Sequence, residues 1–77
     1  MTHVNDYANA MSELYELEPA AYEDQARRDL LGEPAAAATK HAYSLLLKAD
    51  ATDDRCSARL LRKAGMALLA AVVEGDV

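Results

Sequence analysis

Apolar residues recur along this chain at three- and four-residue intervals, the spacing of a buried helical stripe. Val4, Tyr7, Met11, Leu14 and Tyr15 gather on one side of the first segment. Asn5, Asp6, Asn9, Ser12, Glu13 and Glu16 gather on the other, so an amphipathic helix is predicted over residues 4–17. A weaker pattern over 20–31 sets Tyr22, Ala26 and Leu30 on one face, blurred by Asp29 and Leu31. Over 35–49, Ala35, Ala38, Ala42, Leu45, Leu46 and Ala49 share a face, with Lys40, His41, Ser44 and Lys48 opposite. A fourth segment, over 53–73, presents Cys56, Leu60, Ala64, Ala67, Leu68 and Ala71 as its core face.

Local punctuation supports these bounds. Pro19 can start a helix but cannot continue one. Gly32-Glu33-Pro34 joins a helix-ending glycine to a helix-starting proline. The run Asp50-Ala51-Thr52-Asp53-Asp54 supplies capping side chains and carboxylates suited to the positive end of a helix dipole. Gly75 reads as a terminal cap. The expected architecture is all-α, a bundle of three to four helices in one domain over residues 1–77.

The fourth segment changes character along its outer stripe. That stripe begins with Arg55, Arg59, Arg62 and Lys63, then turns apolar at Met66, Leu69 and Val73. From Ala64 onward the helix is apolar nearly all round, which suits either the central helix of a bundle or a surface for a partner. Met66, Leu69 and Val73, at i, i+3 and i+7, form an expected docking ridge. In a homodimer two such ridges would meet about a twofold axis, with the arginines reaching the acidic first helix of the other copy. The basic stripe could equally pair with acids of its own N-terminal half. Gly65 costs about 1 kcal/mol relative to alanine within a helix, and close packing is the usual reason to keep one. The small residues Ala38, Ala42 and Ala49 would face Ala64, Gly65, Ala67 and Ala71 if the third and fourth helices form a hairpin.

Composition narrows the class. The chain of 77 residues is 52% apolar, with 17 Ala and 11 Leu but no Ile, Phe or Trp, too apolar for a disordered acidic tail and poor in strand formers. A single Cys excludes an intrachain disulfide or a multi-cysteine zinc site. No charged-then-apolar leader stands at the start, and the longest apolar run, 64–73, is far short of a membrane span. A soluble, cytoplasmic protein without membrane association is expected.

Candidate chemistry is sparse. Cys56 beside Arg55 and Arg59 could carry a lowered thiol pKa, but it falls on the apolar face and His41 on a polar stripe of another helix. Glu13 and Glu16 share a face without apolar surroundings that would raise a pKa for acid catalysis. The Asp50–Asp54 run lacks the glycine and distal glutamate of a calcium loop, and no Glu-x-x-His pair marks a di-metal bundle. His3 could contribute to a square-planar copper or nickel site only with Met1 retained. No phosphate loop or nucleophile elbow is present. These features predict no enzyme, no cofactor and no functional metal.

Charge points toward a partner. Residues 1–39 carry eight acids and two bases, net −6, whereas residues 40–77 carry five acids and six bases, net +1. Glu13, Glu16, Glu23 and Asp24 form the candidate binding face, since negative fields steer association with basic partners. A non-enzymatic interaction module is therefore expected, by analogy with acidic inhibitors that occupy the nucleic-acid channel of a basic target; phage antagonists of CRISPR or restriction complexes are one such class. The alternative is a small helix-turn-helix-like DNA-binding regulator using Arg55, Arg59, Arg62 and Lys63. Asp53 and Asp54 at the start of that helix, and a net charge of −5, argue against direct nucleic-acid contact.

Overall fold

The structure, a computed structural model, describes residues 2–19 and 35–75. These form α1 (Thr2–Leu17), α2 (Ala35–Ala51) and α3 (Arg55–Val73), with no strand among the described residues. The protein is thus all-α, and α2 and α3 are the third and fourth predicted segments. The helix expected over 20–31, with Tyr22, Ala26, Leu30 and the acids Glu23 and Asp24, lies outside the described residues.

Each helix end has a local cause. At the end of α1 the Glu18 N–H reaches the Leu14 carbonyl at 2.9 Å, and Pro19 then has no N–H to extend the ladder. Thr52 closes α2: its hydroxyl donates to the Lys48 carbonyl at 2.7 Å and its N–H to Ala49 at 3.4 Å. Asp54, in extended backbone, caps α3 by accepting the Ser57 N–H at 3.0 Å. The helix therefore starts at Arg55 rather than 53, because the aspartate works best one step outside the first turn. At its far end Gly75 takes φ +78°, a left-handed conformation that glycine adopts without strain, and its N–H reaches Val72 O at 3.2 Å.

The helix α3 is central. It packs against both α1 and α2, while no Cα of α1 comes within 8 Å of a Cα of α2 among the described residues. The turn at 52–54 reverses the chain between α2 and α3. His3 Nε2 stands 2.8 Å from Glu74 Oε2, which sets the start of α1 beside the finish of α3. Both outer helices therefore run antiparallel to α3. Leu14 of α1, Leu45 of α2 and Leu61 of α3 are fully enclosed, around a core completed by Met11, Ala42, Ala64 and Leu68. Full burial of one such leucine is worth roughly 1.5–3 kcal/mol.

The central position of α3 corrects its expected core face. Ser57 and Leu61 are buried, whereas Leu60 is half-buried against the core and Cys56 is exposed. A helix flanked on two sides buries a wider arc, here extending from Ala67 through Leu61 to Gly65; Ala64, Ala67, Leu68 and Ala71 are buried as expected, and the centre of the arc shifts toward Leu61. Tyr15, expected in the core, is exposed at the edge of α1, and Ala10 is buried instead. His41, expected in solvent, is buried.

Small residues bring α2 and α3 together as the hairpin requires. A Cβ added at Gly65 would lie 2.9 Å from both Cγ and Cδ2 of Leu46 and 3.1 Å from the Ala42 carbonyl oxygen. The glycine is kept because a neighbouring helix occupies the space of its missing side chain.

Candidate functional site

Two polar groups inside the bundle are accounted for by structure. Tyr7 and His41 are each only 6% exposed, and a hydrogen bond of 3.1 Å joins the Tyr7 hydroxyl to His41 Nε2. Their rings meet edge to face at 79°, with centroids 6.3 Å apart. This pair ties α1 to α2 where their backbones stay apart. Ser57 is buried as well; its N–H donates to Asp54 Oδ2 at 3.0 Å and its hydroxyl faces the same carboxylate. That hydroxyl first, and then the Ser57 and Cys56 N–H groups, hold the Asp54 carboxyl below its ordinary value of 3.8.

The nucleophile and base considered from sequence do not meet. His41 lies level with the middle of α3, whereas Cys56 is exposed in its first turn, roughly three helical turns away along the bundle. His3 is held by Glu74. Among the described residues no group of three or more His, Cys, Asp or Glu is gathered to hold a metal ion. No described helix is long and apolar enough to cross a membrane.

What the surface offers is charge and apolar area, sorted by helix. On α1, Glu13 and Glu16 are exposed and Asp6 is half-buried; with Glu18 they make no ion pair with any described residue. Glu23 and Asp24, the other half of the expected acidic face, lie outside the described residues. On α3, Arg55, Arg59, Arg62 and Lys63 are all exposed. Arg62 reaches Asp50 at 3.3 Å, a partner at the end of α2 rather than in the N-terminal half, and the other three form no ion pair with any described residue. Such an exposed pair contributes little to stability.

The ridge expected on α3 is divided. Met66 and Val73 are 57% and 85% exposed, but Leu69 is half-buried and packs against the core. Leu69 lies one turn beyond Gly65, which places it on the flank of α3 nearer α2. Two apolar residues that sequence reasoning passed over, Tyr43 and Leu47, stand 57% and 71% exposed on the outer side of α2. Their i, i+4 spacing, roughly opposite Ala38 and Leu45 on the helix wheel, was the available signal.

No protein-family model, curated protein or solved structure matches the chain.

Proposed function

We propose that this chain is a non-enzymatic interaction module that binds a basic, nucleic-acid-handling protein, acting as an acidic inhibitor of it. The observation that carries the reading is the outward row of carboxylates on α1. Glu13 and Glu16 are exposed, and no described cation neutralises them, in a chain of net charge −5. Packing against α3 holds that row on a rigid rod, so the negative field keeps a fixed shape. A basic channel that normally takes up phosphates would meet the same sign of charge here. Glu23 and Asp24 belong to this reading through their sequence alone.

A DNA-binding regulator finds less support. The start of α3, which a helix-turn-helix protein would aim at base edges, carries exposed Asp53 and an Asp54 already engaged as the cap.

The test is affinity capture from lysate with the wild-type chain, in parallel with a Glu13→Lys/Glu16→Lys/Glu23→Lys/Asp24→Lys variant shown by circular dichroism to keep its helix content. The reading expects a basic protein retained by the wild type and lost by the variant. Equal retention by both would move the binding face off α1.

A further inference from the structure

We infer that a second copy of this chain docks antiparallel on the exposed face of α3, with the twofold axis passing near Met66. The face is polarised along its length. Beyond the Asp53 and Asp54 of the cap, Arg55, Arg59 and Lys63 crowd its first half and form no ion pair with any described residue. The opposite end of the bundle carries half-buried Asp6, the negative end of the α3 dipole and Glu74, one of whose oxygens is engaged by His3 at 2.8 Å. Between them stands Met66, with Val73 about two turns further on, both largely exposed.

Only one orientation satisfies that polarity. A parallel arrangement stacks the arginines of one copy on those of the other. Turning the second copy about Met66 instead sets its residue 59 beside residue 73 of the first, and its residue 63 beside residue 69. Arg59 and Lys63 of each copy then approach Glu74 and Asp6 of the other, twice over by symmetry. The two Met66 side chains meet on the axis. Tyr43, which the α2–α3 register places level with Met66, widens the apolar centre on both copies. Met66 and Val73 stand on α3 and Glu13 and Glu16 on α1, so the substitutions that test this surface are distinct from those that test the acidic row.

Sedimentation equilibrium of the full chain should show a reversible dimer. Met66→Glu should give a monomer of unchanged helix content, because Met66 is outside the core. Val73→Glu, at a still more exposed position, serves if Met66→Glu loses structure. Arg59→Glu should weaken dimerisation by about tenfold or more, and Arg59→Glu/Glu74→Arg should restore it. In a Cys56→Ser background, Met66→Cys should form a disulfide-linked dimer under mild oxidation, whereas Val73→Cys should not. A wild type that stays monomeric at millimolar concentration would overturn the inference. So would a dimer unaffected by both glutamate substitutions, or one that cross-links through Val73→Cys and not through Met66→Cys.

Discussion

Replacing Gly65 with alanine sets two effects of similar size against each other. Alanine in a helix interior is favoured over glycine by about 0.8–1.0 kcal/mol. Against that, the new Cβ would stand 2.9 Å from Leu46 Cγ and Cδ2 and 3.1 Å from the Ala42 carbonyl oxygen. The Leu46 Cγ lies close to its own backbone and cannot swing clear as a chain end could, and the carbonyl belongs to α2 itself. Forcing a methyl into such a contact costs typically 1–3 kcal/mol. The net expectation is a destabilisation of roughly 0–2 kcal/mol, despite the gain in helix propensity. Leu46→Ala removes the nearer contact and leaves only the carbonyl. In that background Gly65→Ala should become less harmful by about 0.5 kcal/mol or more, a coupling that a double-mutant cycle in urea reads directly. A Gly65→Ala variant stabilised by about 1 kcal/mol, with no coupling to residue 46, would refute the close packing of α2 on α3.

Other consequences follow from the same packing. Leu61→Ala should cost about 2–5 kcal/mol and Leu60→Ala clearly less, and thermal denaturation giving the reverse order would restore the face expected from sequence. Tyr7→Phe should lower the urea midpoint by an amount equivalent to about 0.5–1.5 kcal/mol, without changing the slope, because one buried hydrogen bond between α1 and α2 is lost. Asp54→Ala should lower the melting temperature at neutral pH. Because the folded carboxyl titrates below 3.8, the wild-type advantage is complete above that value and fades as pH falls through the depressed one. Melting curves of both proteins should therefore converge in strong acid, and a gap that persists there would remove the carboxylate from the cap.

The parts of this fold legible in sequence were those with one possible neighbour. Tyr7, Met11 and Leu14 repeat cleanly because, among the described residues, the backbone of α1 packs against α3 alone, and all three are buried. The face of α3 was ambiguous because Leu60-Leu61 offers two adjacent leucines, and periodicity cannot say that the helix is flanked twice. Cys56 and Ser57 exchanged places for the same reason. Ser57 is buried beside the Asp54 carboxylate, which accepts its N–H at 3.0 Å. By pattern His41 belongs to a polar stripe, since an imidazole carries no pattern of its own; its buried partner is Tyr7, 34 positions away. The charged rows on α1 and α3 were visible in sequence because they are local helix faces. The division of Met66, Leu69 and Val73 was not, since it depends on which flank α2 covers.

The central claim, binding through the acidic row of α1, is tested most directly by the association rate of the captured partner with the immobilised chain as salt is raised. Long-range attraction between a negative face and a basic partner acts on encounter and is screened over about 10 Å at 0.1 M salt. The association rate should therefore fall steeply with salt while dissociation changes little, and Glu13→Lys/Glu16→Lys should flatten that dependence. An association rate indifferent to salt, and equal in wild type and variant, would contradict the account.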